Sequence, residues 1–311
     1  LVTEMVNEET KNIDRCSTLE MVEQINRQDA QVAGAVAAEK ERIAQAVDLI
    51  SGCLGRGGRL IYLGAGTSGR LGVLDASECP PTFGVEPELV QGHIAGGDIA
   101  LRVPVEGCED DEEEGIRLID RLETGENDAV VGITASGRTP FVLAALGRAR
   151  ERGSVPIGLC TNAHSRLEEV CAVTIAPLVG PEAISGSTRM KSGTAQKMVL
   201  NMLSTCAMVK LGKVYGNLMV DLRASNHKLV DRAQRLIIHA TGVDRDRAAG
   251  GGGGPREAGH PAGKERPGGR QGQGAAGPPR RPPGPGHRER KGGTLTCWKT
   301  SPKSRSAVWW A

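Results

Sequence analysis

Nowhere in the 311 residues is there a run of about 18 apolar positions, so a membrane-spanning helix is excluded. No charged, apolar, small-residue leader opens the chain, so no secretory route is expected. The eight cysteines, at 16, 53, 79, 108, 160, 171, 206 and 297, form no C-x-x-C pair. None stands at a spacing from the six histidines that suits a metal. They read as free thiols in a reducing cytoplasm, with no metal site. G-x-S-x-G is missing too, which removes the serine-hydrolase elbow. Aromatic residues make up only 2% of the chain, and all three tryptophans (Trp298, Trp309, Trp310) lie at its far end.

That far end is a different object from the rest. Between Ala248 and Ala311 there is no Asp, Ile or Phe, while Gly, Pro and Arg crowd together, as in Gly277-Pro278-Pro279-Arg280-Arg281-Pro282-Pro283. Such a segment cannot build a core. It takes 12 of the 39 Lys+Arg and 3 of the 37 Asp+Glu, which leaves 27 basic and 34 acidic residues in 1–247. The net charge of +2 therefore averages an acidic globular part and a basic tail. The division expected is a folded unit over 1–243 and a disordered tail over 244–311. A shifted reading frame in a GC-rich gene would produce such a tail.

Within the folded unit, Ser17-Thr18-Leu19-Glu20 has capping-box spacing and predicts a helix start. Val32, Val36, Ile43, Val47 and Ile50 follow helical spacing up to Gly55 and Gly57-Gly58. Strands and helices then alternate: strand 59–64, helix from about 68, strand 89–95, helix 110–122, strand 129–134, helix 139–151, strand 155–160, helix 165–170, strand 172–177. Met190 to Leu211 and Ala224 to Ile238 read as two closing helices. This order predicts an α/β fold, a three-layer doubly wound parallel sheet preceded by an N-terminal helical arm.

Two of the strands run straight into Ser-Gly-Arg, at Thr67-Ser68-Gly69-Arg70 and at Ala135-Ser136-Gly137-Arg138-Thr139-Pro140. A strand end that opens into a helix presents unpaired N–H groups and the positive end of a helix dipole, and glycine lets the backbone approach an anion closely. Both turns lie at the carboxyl ends of strands, where parallel sheets bind ligands. Thr67, Ser68 and Ser136 add hydroxyl donors, so the pair predicts one phosphate-sized pocket. Gly64-Ala65-Gly66-Thr67-Ser68-Gly69 also matches G-x-G-x-x-G, but the next strand ends His93-Ile94-Ala95-Gly96-Gly97 without the ribose-binding acid of a dinucleotide site. Glycines serving a tight turn alone are the plainer alternative.

Three further segments invite chemistry and have ordinary readings beside it. Asp75-Ala76-Ser77-Glu78-Cys79-Pro80-Pro81-Thr82 ends in a Pro-Pro expected to stop its helix, leaving Glu78 either a surface glutamate or a candidate general acid. Glu106 to Glu114 is an acidic run opening a helix. Most of it complements the dipole, and spacing singles out no member. Ser185-Gly186-Ser187-Thr188-Arg189-Met190-Lys191 is a third hydroxyl-rich turn, either a cap or another wall of the anion pocket.

Taken together these motifs resemble the N-acetylmuramic acid 6-phosphate etherases, which have the sugar isomerase (SIS) fold and are related to the glucokinase regulatory protein. The resemblance runs from Thr3-Glu4 through the turns just quoted and Gly216-Asn217-Leu218-Met219-Val220-Asp221 to about Gly242. It implies cleavage of the lactyl ether of N-acetylmuramate 6-phosphate to N-acetylglucosamine 6-phosphate and D-lactate, in cell-wall recycling, with no cofactor. A base removes the C2 proton of the open-chain sugar, lactate leaves from C3, and water adds. By motif, Glu78 corresponds to the acid that protonates lactate and Glu109 to the second carboxylate, the base. Thr67, Ser68, Gly69, Ser136, Gly137, Arg138 and Ser187 would hold the phosphate. Lys228 and Arg232, four apart and so on one helix face, resemble basic residues near the phosphate. The implied partners are a small sugar phosphate and a second copy in a homodimer, with no membrane and no specific nucleic acid. After Gly242 the chain departs from the family's helical region.

Two rival classes remain open at this stage. A non-catalytic sugar-phosphate sensor of this fold needs the hydroxyl turns but not both acids, and Glu78 with Glu109 speaks against it. A basic arm for polyanions would need only the tail.

Overall fold

The computed structural model describes residues 1–219 and 227–248. Five parallel strands, β1 (Leu60–Gly64), β2 (Val90–Ile94), β3 (Ala129–Ile133), β4 (Val155–Leu159) and β5 (Val173–Ile175), stand in the order β2-β1-β3-β4-β5. The chain winds outward from β1 in one direction and from β3 in the other, so the crevice between β1 and β3 is the switch point where such sheets take ligands. Leu60 pairs with Val90 on one side and Ala129 on the other.

Every residue of β1 and β3 is buried. Alternation along the strands divides these residues between two cores. Leu60, Tyr62, Val131 and Ile133 enter the first, beneath α3 (Lys40–Gly55), α4 (Gly66–Phe83) and α8 (Lys191–Lys210). Ile61, Leu63 and Val130 enter the second, beneath α5 (Glu112–Arg121) and α6 (Pro140–Glu151). Helices thus cover both faces, as expected of a sheet whose central strands β1 and β3 read as continuous apolar runs. Each fully buried Leu or Ile contributes about 1.5–3 kcal/mol through removal from water.

Ahead of the sheet come α1 (Thr18–Asp29) and α2 (Val32–Ala38). The Ser17 hydroxyl accepts from Glu20 N, and the Glu20 carboxylate accepts from Ser17 N at 2.7 Å, which completes the capping box. The helical stretch foreseen over 32–55 is two helices rather than one, broken at Glu39 between α2 and α3. Glu39 Oε2 accepts from Ala176 N at 3.1 Å, a tertiary contact with no local signature. A short α7 (Leu167–Val170) connects β4 to β5, and after α8 come a two-stranded antiparallel ribbon (Val214–Tyr215 with Leu218–Met219), α9 (His227–Thr241) and α10 (Arg245–Ala248). α9 ends just before the boundary expected at 243, and the four-residue α10 lies after it. Val220, Asp221 and the tail from 249 onward lie outside the described residues.

One helix end also differs from expectation. Pro80 and Pro81 do not stop α4, which runs on to Phe83 and closes at Gly84 in the left-handed region (φ 62°). Without N–H groups the two prolines leave the carbonyls of Ala76 and Ser77 without helical donors. Cys79 and Phe83, both buried in the first core, hold the final turn against the sheet.

Close approach of β2 to α4 sets where that helix lies. A Cβ on Gly92 would stand 2.5 Å from Val73 Cα and 2.7 Å from Val73 N, both backbone atoms that cannot yield alone. Gly92→Ala is therefore expected to cost about 1–3 kcal/mol in urea denaturation by overpacking; an unchanged midpoint would show that α4 is free to move off the sheet.

Candidate functional site

At the carboxyl end of β1 the chain enters α4 with no side-chain cap. Its N-cap is Ala65, and Gly66 adopts φ 52°, a conformation that favours glycine. The first N–H used is Gly69 N, which donates to Ala65 O at 3.2 Å. Among the described residues the N–H groups of Gly66, Thr67 and Ser68 have no acceptor, so the positive end of an 18-residue helix is open. Ser68 is buried, and its Oγ donates to Gln196 Oε1 on α8 at 3.0 Å, while Thr67 packs beside Gly193.

The second turn follows β3. Gly137 stands at φ 71° with Ser165 packed against it, so a side chain there would meet both strain and a clash. Ser136 Oγ accepts from Arg138 N at 3.2 Å and lies 3.2 Å from Thr134 Oγ1, which also meets Thr139 Oγ1 at 2.7 Å. Pro140 opens α6 and has no N–H to offer. Arg138 is exposed. Despite the matching letters, Arg70 serves another purpose: its guanidinium donates to the carbonyls of Leu101 (3.0 Å) and Ala100 (2.6 Å) and ties down the loop after β2.

The third turn is capped from within. Glu182, fully buried, accepts from Lys191 N at 2.8 Å and Ser192 N at 2.9 Å. An internal carboxylate thus already occupies the N-terminus of α8, and the half-buried Ser187 hydroxyl is what this turn can still offer. Lys191, 1% exposed, donates from Nζ to Gln28 Oε1 at 2.8 Å. Burial pushes its ammonium below the usual lysine range, and Glu182, Glu9 and Asp29 oppose that. The sequence gives no sign of Glu182, and it shows Lys191 and Gln196 only as letters of the third turn and the helix after it, because their partners are distant in the chain. Asp75 was quoted only within a motif; it is buried, its Oδ1 accepts from Asn201 Nδ2 at 3.0 Å, and burial raises its carboxyl above the ordinary range.

Both expected catalytic acids are exposed. Glu109 sits in a 3-10 turn, Cys108–Asp110, that packs on α6 beside the second core. Glu78 lies on α4 itself, ten residues after Ser68, which places it about 15 Å further along the helix axis. Ser68 meets α8 directly through Gln196, and the Ala135–Ser136 turn reaches it through Thr161 and Ser192, but Glu78 does not lie beside Ser68 in one chain. Arg232 is exposed on α9, with no described hydrogen bond to either turn, and the side chain of Lys228 lies outside the described residues.

A cavity of about 350 Å³ opens elsewhere, beside the edge strand β2, lined by His93, Asp98, Glu114, Arg121 and Phe141 among others. None of the expected site residues lines it. Burial holds the His93 imidazole below its ordinary range, and the Arg121 charge adds to this. Among the described residues no group of three His, Cys, Asp or Glu side chains is placed to hold a metal, and no helix is long and apolar enough to cross a membrane.

Comparison with known proteins bears on this geometry. A model of the glucokinase regulatory protein N-terminal SIS domain matches residues 42–150, and a model of the SIS domain matches 114–205. An N-acetylmuramic acid 6-phosphate etherase of Clostridium acetobutylicum is 56% identical over 248 residues, covering 80% of this chain and 82% of that protein. One from Clostridium botulinum is 58% identical over 246 residues, covering 79% and 82%. Among solved structures, a phosphoheptose isomerase from Francisella tularensis superposes with TM-score 0.48 at 18% identity, covering 62% of this chain and 98% of that one.

The internal cap makes a distinction that can be measured. Glu182→Ala strands two buried N–H groups and removes a carboxylate facing the Lys191 charge, and is expected to cost about 3 kcal/mol or more in urea denaturation. Its effect on the affinity for inorganic phosphate should be small if the anion site lies at α4. A large gain in phosphate affinity, as the freed Lys191 and Ser192 N–H groups take the anion, would move the site to α8.

Proposed function

This chain belongs to the N-acetylmuramic acid 6-phosphate etherase family, and from that premise we infer that it cleaves the lactyl ether of N-acetylmuramate 6-phosphate, yielding N-acetylglucosamine 6-phosphate and D-lactate. The observation that carries the site assignment is the open N-terminus of α4, three unpartnered N–H groups at the switch point between β1 and β3. Glu182 closes α8, so a phosphate dianion finds its strongest donors at Gly66, Thr67 and Ser68. Gly69 lets the first turn of α4 approach the end of β1 closely, and Ser136, Gly137, Arg138 and Ser187 complete the ring of donors around the phosphate.

With the phosphate so held, the reaction needs a base at C2 and an acid at the C3 oxygen. In this reading Glu109 takes the C2 proton of the open-chain aldehyde, the C3–O bond breaks, and Glu78 delivers a proton to the departing lactate oxygen. Water then adds at C3 of the unsaturated aldehyde and restores a hydroxyl there. Placing the two proton transfers on separate carboxylates lets each act in the protonation state it needs.

Distance decides how Glu78 can take part. From phosphorus to C3 runs a path of five covalent bonds of about 1.5 Å each, too short to cover the helix rise from Ser68 and also reach back from beyond the α4 N-terminus. The reading therefore includes a homodimer in which the phosphate turns of one protomer face Glu78 of its partner. A cytoplasmic location accords with free thiols and with a substrate from cell-wall recycling.

Incubating the protein with N-acetylmuramate 6-phosphate should release D-lactate, and Glu78→Ala should abolish the release while sugar-phosphate binding survives. Mixing Glu78→Ala with Ser68→Asp, each inactive alone, should restore up to about a quarter of the activity once subunits exchange at random, one site in two being intact in half of the dimers. Undiminished turnover by Glu78→Ala would refute the acid assignment, and no recovery on exchange would refute the shared site.

A further inference from the structure

Asn162 follows β4, immediately after Thr161, at the same end of the sheet as the two Ser-Gly-Arg turns. It is 2% exposed, and both polar atoms of its amide are engaged. Nδ2 donates to Ala135 O at 2.9 Å and to Thr3 Oγ1 at 3.2 Å, while Oδ1 accepts from Val2 N at 2.8 Å. Thr161 adds to the same carbonyl: its N–H donates to Ala135 O at 3.1 Å, and its hydroxyl also lies 3.1 Å away. Three donors thus converge on one backbone oxygen, the one that precedes Ser136.

The consequence follows from peptide geometry. In a trans peptide the C=O of one residue and the N–H of the next point in opposite directions. β3 has β4 on one side and β1 on the other. With its carbonyl held toward the end of β4, the Ala135–Ser136 peptide turns the Ser136 N–H toward the end of β1, where Gly66, Thr67 and Ser68 present theirs. Ser136 N has no acceptor among the described residues. A free peptide could rotate and point its oxygen at an incoming anion, the opposite of what binding requires.

We propose that Asn162 is a positioning residue for the phosphate site: it locks the Ala135 carbonyl away from the ligand and so aims the Ser136 N–H at it. The N-terminal segment is part of the device, because Val2 and Thr3 hold the Asn162 amide in place. The same segment reaches the third turn, where Gly186 N donates to Thr3 O at 3.3 Å and Ser185 Oγ to Met5 O at 3.3 Å. The inference rests on the reading that the second Ser-Gly-Arg turn binds phosphate, and it adds a residue to that reading that contacts no ligand.

The test uses the full chain and inorganic phosphate as probe, with lactate release measured in parallel. Asn162→Ala removes the shortest of the three hydrogen bonds on the Ala135 carbonyl and leaves it to Thr161 alone, and Asn162→Asp, nearly identical in shape, sets a carboxylate oxygen against that carbonyl. Loss of one oriented donor should raise the phosphate dissociation constant about tenfold in Asn162→Ala, and further in Asn162→Asp. KM for the sugar phosphate should rise in parallel, with kcat changed by less than about threefold. An unchanged phosphate constant in whichever variant folds, alongside normal wild-type lactate release, overturns the inference alone. Phosphate weakening as expected in a protein that releases no lactate supports the inference and removes the etherase reading. A fall in kcat and thermal stability with phosphate affinity intact would make Asn162 merely structural, and the proposal would fail.

Discussion

The arrangement depends on one close contact, the junction where β1 becomes α4. A Cβ on Gly64 would stand 2.8 Å from Gly69 N and 2.9 Å from Ile133 O, and one on Gly69 would stand 2.6 Å from Gly64 O. Only with hydrogen at both positions can the helix begin directly over the strand and against β3. That contact places the first turn of α4 at the crevice between β1 and β3, so its free N–H groups face the same space as the turn after β3. Everything else in the site is arranged around a helix start that glycine alone permits.

Helix ends in this molecule are treated unequally, and the inequality assigns their roles. α8 meets the buried carboxylate of Glu182, and α6 starts on a proline. α4 has no internal acceptor for its first three N–H groups. A bound dianion at α4 would satisfy donors that the fold leaves unsatisfied, whereas at α8 it would have to displace a carboxylate already hydrogen-bonded there. The polar contacts between α4 and α8, Ser68 to Gln196 and Asp75 to Asn201, then fix the roll of α4.

Much of this was readable in the residues. The strands agree with expectation to within a residue or two at each end; β1, β3 and β4 are largely apolar runs, whereas β2 (Val90-Gln91-Gly92-His93-Ile94) is legible only by its place in the strand–helix alternation. The Ser17 capping box and Pro140 at a helix start acted as local chemistry says they should. Reading failed where a distant contact overrules local preference. Pro80-Pro81 lies inside a helix because Cys79 and Phe83 are drawn into the core, and α2 parts from α3 at Glu39, whose carboxylate accepts from Ala176 N after β5. The two Ser-Gly-Arg motifs look alike in sequence yet split at the arginine, Arg70 bonding a loop and Arg138 standing free of such bonds among the described residues. Lys191 with Gln28, and Asn162 with Ala135, join segments 163 and 27 residues apart, and no periodicity announces them. A Thr-Asn pair at a strand's carboxyl end was the available signal for Asn162.

The claim at the centre is that phosphate meets the backbone at the start of α4. Backbone amide resonances followed during titration with N-acetylglucosamine 6-phosphate test it directly. The account predicts the largest shifts at Gly66, Thr67 and Ser68, with Ser136 and Gly137 moving at the same ligand concentration. Shifts confined to Lys191 and Ser192, or to the β2 cavity around His93 and Arg121, with the α4 amides still, would contradict it.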